Sequence, residues 1–219
     1  MNAPKSRDWQ QWEHVAVPAD TAQAPTLLLL HGTGADERDL LDLGHALAPG
    51  AALLSPRGRV DENGANRWFR RLREGVFDVD DVVARAHELA GFVAAATEHY
   101  GMNRDRLIAV GFSNGANIAA ALLLLHPELL RGAALFAAAA PLQGREPEHV
   151  DLSAASVFIA AGTADPITPI DQARLLADQL SRRGAHTQFA QHPGGHTLPP
   201  DVLTAARTWL AQLVSAPAT

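Results

Sequence analysis

Short runs of apolar residues, each ended by glycine or proline, alternate along this chain with longer segments of helical periodicity. Runs of about four to eight residues that are apolar throughout are typical of strands covered on both faces. Two of the runs are rich in alanine and are equally compatible with helix. The candidate strands are residues 26–30, 51–54, 107–110, 133–140, 156–161 and 186–190.

The segments between these runs carry helix signals. Asp36 is placed to cap a helix that continues to Ala48, with Asp39 in its first turn, and Asp78 is placed to cap a helix over residues 79–99. Because strands and helices alternate along the chain, the sequence predicts an α/β fold, a mostly parallel sheet with helices on both faces. Functional loops of such sheets follow the carboxyl ends of the strands. Further helices are predicted over residues 114–126, 171–181 and 202–213.

The composition excludes several classes of protein. The 219 residues include no cysteine, which excludes a disulfide scaffold, a cysteine-ligated metal centre and a cysteine nucleophile. The net charge of −6 argues against a general binder of nucleic acid or anionic membranes. Residues 1–14 lack the apolar run of a secretory signal, and the apolar stretch 116–125 is too short to span a membrane. We therefore expect a cytoplasmic protein of one domain, residues 1–219, with its core over residues 25–212, a polar N-terminal segment and a frayed tail at 215–219.

A Gly-x-Ser-x-Gly motif lies where one candidate strand meets a candidate helix. Its defined positions are Gly111, Ser113 and Gly115, with an apolar strand directly before them and an apolar helix directly after them. This is the context that a nucleophile elbow requires, because the serine must project from a tight strand-to-helix turn. The alternative is a Gly-Ser turn in which Ser113 only caps the helix. We interpret Ser113 as the nucleophile.

The run 26–30 leads into His31-Gly32-Thr33-Gly34, a second loop suited to catalysis. Glycines allow the backbone to approach a reacting carbonyl, and amide groups can then point at the developing negative charge. The expected donors are the backbone N–H groups of Thr33 and Asn114. A plain glycine-rich turn is the alternative, and no Gly-Lys-Ser/Thr sequence follows that would make the segment a phosphate loop. We expect His31 to be a hydrogen-bonded structural residue.

A serine nucleophile needs a histidine base, and the base needs a carboxylate that fixes its tautomer. In this kind of sheet the chain order is serine, then acid, then histidine. Asp165 follows the strand 156–161 directly and is the best candidate for the acid; the alternative is an ordinary Asp-Pro turn. His196 lies in a glycine-rich loop between the last strand and the last helix, and we favour it over the neighbouring His192.

These residues together resemble the phospholipase/carboxylesterase branch of the α/β-hydrolases, a branch that also contains acyl-protein thioesterases. The resemblance implies an α/β-hydrolase fold with little or no lid, a Ser113–Asp165–His196 triad, and ester or thioester substrates. Acyl-protein thioesterases usually carry glutamine after the nucleophile, whereas this chain has Asn114. The resemblance rests on residues 30–37, 56–58, 67–69, 111–115, 162–167 and 195–196, spread over residues 25–212.

The sequence thus predicts a serine carboxylesterase that hydrolyses small carboxylic esters through an acyl-enzyme intermediate. This mechanism needs neither a metal nor an organic cofactor. The alternatives are an acyl thioesterase or lysophospholipase of the same family and, more remotely, a non-catalytic binding module on the same fold. The expected partners are a small-molecule ester and at most a second copy of the chain, as a homodimer.

Two sets of residues are candidates for the substrate pocket. Trp68 and Ile167 could form apolar walls, and the alternative for each is core packing. Arg70, Arg71 and Arg73 belong to a run of arginines that begins where the strand 51–54 ends, and arginine binds carboxylates well. The alternative is that these arginines pair with nearby acids on a solvated face. The complete run comprises Arg57, Arg59, Arg67, Arg70, Arg71 and Arg73.

Overall fold

The computed structural model describes residues 8–216, and this part of the chain contains eleven β-strands and five α-helices. The strands are β1 (His14–Val17), β2 (Thr26–Leu30), β3 (Ala52–Pro56), β4 (Val60–Glu62), β5 (Ala65–Arg67), β6 (Arg71–Arg73), β7 (Val76–Phe77), β8 (Leu107–Phe112), β9 (Gly132–Phe136), β10 (Ser156–Gly162) and β11 (His186–His192). The helices are α1 (Leu41–Leu47), α2 (Val79–His99), α3 (Asn114–Leu125), α4 (Ile170–Ser181) and α5 (Pro200–Ser215).

Seven of the strands form one sheet in the order β1-β3-β2-β8-β9-β10-β11. Strand β1 is antiparallel to β3, and every other neighbouring pair is parallel. The predicted mostly parallel sheet is therefore confirmed. Strands β2 and β8 lie side by side near its centre, so the loops that follow Leu30 and Phe112 leave the same edge of the sheet. The sequence motifs are concentrated in these loops.

Helices cover both faces of the sheet because successive strand residues point to opposite sides. Leu28 and Leu30 pack in the core that includes α2, α3 and α4, whereas Leu27 and Leu29 pack in the core that includes α1 and α5. Helix α3 is buried along nearly its whole length between the sheet and α2, which explains its apolar sequence. None of the helices in residues 8–216 combines the length and the apolar character that a membrane crossing needs.

Two short hairpins are inserted between β3 and α2. The pair β4–β5 and the pair β6–β7 are both antiparallel, and neither joins the main sheet. They are the only strands outside that sheet in the described part of the chain. The run of arginines lies in and beside these hairpins, which the sequence analysis did not predict.

Several predicted boundaries were wrong for identifiable reasons. Asp36 does not cap a helix: its side chain accepts a hydrogen bond from the Arg38 amide at 2.8 Å in a local turn, and α1 begins only at Leu41. The predicted strand 133–140 ends at Phe136 because Ala137 has a positive φ of 52°, which turns the chain out of the sheet. By contrast, α2 begins after Asp78 and ends at His99, as predicted.

The ordered structure also begins earlier than the predicted core. Strand β1 adds an edge to the sheet from His14 onward, and Trp12 is buried and stacks on Phe92 of α2 with ring centroids 4.8 Å apart. At the other end, α5 continues to Ser215. The remainder of the predicted frayed tail, residues 217–219, lies outside the described residues, as do residues 1–7.

Candidate active site

Ser113 occupies the sharp turn between β8 and α3. Its backbone has φ 53° and ψ −117°, a conformation that residues other than glycine rarely adopt. The turn is held from both sides: the Ser113 amide donates to the Phe136 carbonyl at 2.8 Å, and the Ser113 carbonyl accepts from the Asn117 amide at 3.0 Å. Strain of this kind persists only where the surrounding structure fixes it, and here the two hydrogen bonds do so.

The two glycines of the motif are required by contact between backbones. A Cβ on Gly111 would lie 2.6 Å from the Ala116 nitrogen, and a Cβ on Gly115 would lie 1.9 Å from the Leu30 carbonyl oxygen. Because both obstacles are backbone atoms, a side chain at either position has no flexible neighbour to displace. The close approach of α3 to β2 and β8 therefore depends on glycine at both positions.

His196 and Asp165 form a hydrogen-bonded pair at the same edge of the sheet. His196 Nδ1 lies 2.7 Å from Asp165 Oδ2, and the Asp165 side chain is completely buried. The other carboxylate oxygen, Oδ1, accepts from the amides of Ile167 and Thr168 at 2.8 and 2.9 Å. With both oxygens occupied, Asp165 fixes the ring so that Nδ1 donates to it and Nε2 is left as an acceptor.

His192, the other candidate base, is directed elsewhere. It is buried at the end of β11, where its Nδ1 accepts from the Gly194 amide at 3.1 Å. Its carbonyl accepts from the Thr163 amide at 2.8 Å, so the residue joins the loop that carries Asp165 to the loop that carries His196. His192 does not line the cavity that Ser113 and His196 share.

Ser113 and His196 line one cavity of about 370 Å³. The two side chains are not hydrogen-bonded to each other in this structure. The aromatic ring of Phe112, the residue before Ser113, packs edge-on against the His196 ring with centroids 5.0 Å apart. Catalytic hydrogen bonds are often long in a free enzyme and tighten when substrate is bound. Gly32, Thr33 and Asn114 also line this space, which is called the Ser113 cavity below.

The loop after β2 is held by His31, whose ring is buried beneath it. His31 Nδ1 donates to the Gly32 carbonyl at 2.6 Å, and Nε2 accepts from the Gly58 amide at 2.9 Å. Burial lowers the pKa of the His31 imidazole, so the ring stays neutral and can both donate and accept. The expectation of a structural role for His31 agrees with these contacts.

Trp68 is not a wall of the cavity, contrary to the sequence prediction. The side chain is buried behind the loop, and its indole Nε1 donates to the His31 carbonyl at 2.8 Å. Its backbone amide donates to Asn114 Oδ1, also at 2.8 Å. Trp68 therefore connects the loop after β2 with the start of α3. This contact of the Asn114 side chain could not be predicted, because nothing in the local sequence links residue 114 to residue 68.

Thr33 and Asn114, the residues whose amides were predicted as oxyanion donors, both line the cavity. Within the described residues, neither amide donates a hydrogen bond to another protein group. The Thr33 side chain is anchored from outside, because its Oγ1 accepts from Arg67 Nη1 at 2.8 Å. Two amides from neighbouring loops thus remain available to a ligand beside Ser113.

Most of the arginine run pairs with acids, as the alternative interpretation held. Arg70 does not line the cavity. Its side chain is exposed, and its Nη2 lies 2.9 Å from Asp78 Oδ2 and 3.7 Å from Asp81 Oδ1. Arg73 is exposed and also lies outside the cavity wall. The predictions of Arg70 and Arg73 as pocket residues were therefore wrong: Arg70 pairs with acids at the start of α2, and the exposed Arg73 lies outside the lining.

Two arginines of the run and Ile167, from the loop that carries Asp165, do line the cavity. Arg71 lines it, as does Ile167, which is 48% exposed at its rim. Arg67 lines it too, although the sequence analysis named Arg67 only as a member of the run and not as a pocket residue. Its involvement follows from the hairpin β4–β5, which places it beside Thr33. The local sequence carries no signal that distinguishes it from the neighbouring arginines.

A mostly parallel sheet with a strained serine between a central strand and a buried helix is the arrangement of an α/β-hydrolase. The phospholipase/carboxylesterase family model matches residues 11–214, so the chain belongs to that family. The protein is a hydrolase that acts on ester bonds.

Individual proteins similar to this chain are also named as hydrolases or carboxylesterases. The Bacillus subtilis (strain 168) protein MhqD, named as a hydrolase, is 45% identical to this chain over 188 residues. The match covers 86% of this chain and 93% of that protein. The Bacillus cereus carboxylesterase is 38% identical and superposes with a TM-score of 0.89, covering 95% of this chain and 99% of that one. A Mesorhizobium loti carboxylesterase is 34% identical with a TM-score of 0.82, covering 88% and 90% of the two chains.

Proposed function

We propose that the protein is a serine carboxylesterase in which Ser113, His196 and Asp165 form the catalytic triad. The observation that carries the proposal is that His196, whose Nδ1 lies 2.7 Å from the buried Asp165 Oδ2, lines the same cavity as the strained Ser113. His196 Nε2 accepts the Ser113 proton while Oγ attacks the ester carbonyl. The carbonyl carbon becomes tetrahedral, and its oxygen becomes an oxyanion.

The amides of Thr33 and Asn114 donate to this oxyanion. Two preorganised donors are worth several kcal/mol, since removing one donor from such a site costs about 3–4 kcal/mol of transition-state stabilisation. His196 then gives its proton to the leaving alcohol, and an acyl group remains on Ser113. Water, deprotonated by the same histidine, releases the acid and regenerates the serine.

The size of the cavity supports small substrates. A volume of about 370 Å³ is at the lower end of the range for small-molecule sites, roughly 300–1,000 Å³. We therefore propose small carboxylic esters as substrates and expect the rate to decline with chain length across a series of 4-nitrophenyl esters from acetate to laurate.

The triad is tested by substitution and by covalent labelling. Ser113→Ala is expected to lower kcat by about 10⁴-fold or more while leaving the circular dichroism spectrum unchanged. A fluorophosphonate probe is expected to label Ser113 in the wild type. His196→Ala is expected to be equally inactive, whereas His192→Ala, outside the cavity, is expected to keep most of its activity. Turnover by Ser113→Ala near that of the wild type, or labelling of another serine, would contradict the assignment.

The same residues would serve a thioester, so a matched pair separates the two activities. An oxygen ester and a thioester with the same acyl group and similar leaving groups are compared by kcat/KM. We expect the oxygen ester to be the better substrate. A large preference for the thioester would shift the proposal to an acyl thioesterase with the same triad.

A further inference from the structure

A buried guanidinium group on the wall of the Ser113 cavity lacks a full set of partners. The Arg67 side chain is only 4% exposed, yet it lines the cavity. Its Nε donates to the Phe69 carbonyl at 3.2 Å, and Nη1 donates to Thr33 Oγ1. No acceptor within residues 8–216 takes a hydrogen bond from Nη2, and Nη2 is not among the completely buried unpaired atoms of this part of the chain. Nη2 therefore keeps some accessible surface, on a side chain that lines the cavity.

The charge of Arg67 is also incompletely balanced. The nearest carboxylate oxygen, Glu62 Oε2, is 3.6 Å from Nη1, which is beyond ordinary hydrogen-bond distance. Burial lowers the pKa of Arg67 despite this neighbour. The free energy lost when a cation is desolvated exceeds the attraction of one distant carboxylate. The approach of a second anion therefore stabilises the buried cation.

A second guanidinium group lies beside the first. Arg71 lines the cavity, its Nε donates to Glu62 Oε1 at 3.0 Å, and its Nη1 pairs with Glu74. Its Nη2 has no acceptor within the described residues. Glu62 does not line the cavity, whereas Glu74 does, with a side chain that is 65% exposed to solvent. Two guanidinium groups with free donors therefore face the cavity beside one carboxylate whose charge is largely screened by solvent.

We propose that Arg67 and Arg71 together bind a carboxylate on the substrate, so that the preferred esters are small molecules that carry an acid group. This inference rests on the proposed function, because it names the substrate class of the same Ser113 site. Arginine presents planar, paired donors that match the two oxygens of a carboxylate. Arg67 donates to Thr33 Oγ1, and Thr33 lines the same cavity of about 370 Å³ as Ser113, so the acid group and the ester carbonyl of a small substrate would occupy one cavity.

The test compares charged and neutral esters that are otherwise matched. On the acyl side, 4-nitrophenyl hemisuccinate is compared with its methyl ester; on the alcohol side, 4-acetoxybenzoate is compared with its methyl ester. The uncatalysed rate of each compound is subtracted. At low ionic strength the charged member is expected to have a kcat/KM higher by about 10- to 100-fold in at least one pair, the effect of one or two charge-assisted hydrogen bonds.

The readout for the variants is the charged-to-neutral ratio of kcat/KM. Arg71→Gln is expected to lower this ratio by about tenfold, and Arg67→Gln by at least as much. Because Arg67 also anchors Thr33, its variant is expected to lose activity on both esters, and the ratio separates the two effects. Arg70→Gln and Arg73→Gln, exposed and outside the cavity, serve as matched controls with the wild-type ratio and wild-type activity. The ratio should also fall as salt is raised.

The outcomes separate this inference from the proposed function. If Ser113-dependent hydrolysis of the neutral esters is found but both pairs give ratios near one, the carboxylate site is wrong and the esterase stands. A preference for the charged esters that survives unchanged in Arg71→Gln and Arg67→Gln would also overturn the site. If no ester is hydrolysed in a Ser113-dependent way, the proposed function itself fails.

Discussion

The backbone around Ser113 shows how single residues determine the geometry of this site. Ser113 adopts a positive φ because β8 and α3 approach so closely that glycine is needed at positions 111 and 115. This constraint is local in sequence, since strand, turn and helix follow one another directly. It is the reason why the sequence alone could identify this element.

The glycine requirement predicts a large loss of stability for Gly115→Ala. The added Cβ would lie 1.9 Å from the Leu30 carbonyl oxygen and 2.6 Å from the His31 carbonyl oxygen, so two backbone segments must separate. We expect the free energy of unfolding in urea to fall by about 3 kcal/mol or more, a severe case of overpacking.

Gly91→Ala is the matched control for this substitution. Gly91 lies within α2, and a Cβ there has no neighbour within 4 Å. Replacing a helical glycine with alanine is expected to raise stability by about 0.5–1 kcal/mol. Equal effects of the two substitutions would show that the contact at Gly115 is not the cause.

Other residue assignments needed contacts between distant parts of the chain. The choice of His196 over His192 followed from the glycine-rich loop, and the geometry separates the two rings clearly. Trp68 was misassigned because a tryptophan beside a candidate site can face either the cavity or the core. Its burial depends on His31 and Asn114, and no local pattern in the sequence records those partners.

At the scale of elements, the six parallel strands of the main sheet were predicted, whereas the edge strand β1 and the short hairpin strands were missed. Residues of β2 are all buried, and their continuous apolar run gives a clear signal. The edge strand β1 is only partly buried at each position, and the hairpin strands β4 to β7 have two or three residues each. Such short strands bury too little surface to impose an apolar pattern on the sequence.

Helix α2 was predicted with correct ends because its cap is encoded locally, and this cap can be tested. Asp78 Oδ1 accepts from the Asp81 amide at 3.2 Å, which satisfies one of the free donors of the first turn. Asp78→Ala is expected to lower the free energy of unfolding by about 1 kcal/mol, and Asp78→Asn by less than half of that, because asparagine also caps well.

Asp80→Ala provides the control for the cap. Asp80 lies in the same turn, but its side chain is 83% exposed and pairs on the surface with Arg145. Exposed pairs contribute little, so the expected loss is well below that of Asp78→Ala. Equal losses for Asp78→Ala and Asp78→Asn would assign the stabilisation to the ion pair with Arg70 rather than to the cap.

At the scale of the whole molecule, ion pairs join segments that are far apart in sequence. Arg57 forms a two-point pair with Glu37, twenty residues earlier, and this contact joins the loop before α1 to the segment after β3. Arg145 reaches Asp80 across an even longer separation. The sequence alone could not tell which arginines of the run pair with acids, because partners such as Glu37 lie far from the run in sequence. Only the folded chain shows which arginines keep free donors.

Two histidines give the whole fold a predicted sensitivity to acid. Burial lowers the pKa of His31 and of His126; the nearby His87 also lowers the pKa of His126, and Glu128 opposes the shift. Both rings are therefore still neutral in the folded protein at a pH at which they are protonated in the unfolded chain. Stability is complete above the unfolded value near 6.5 and declines as the pH falls towards the lower folded values.

The measurement is the free energy of unfolding in urea at a series of pH values from about 7.5 to 5.5. Each of the two histidines contributes a slope of up to about 1.4 kcal/mol per pH unit. His126→Gln removes one contribution and is expected to flatten the dependence, leaving the part due to His31. His149→Gln, at an exposed position, is expected to keep the wild-type slope. A wild-type slope in His126→Gln as well would show that the acid sensitivity arises elsewhere in the molecule.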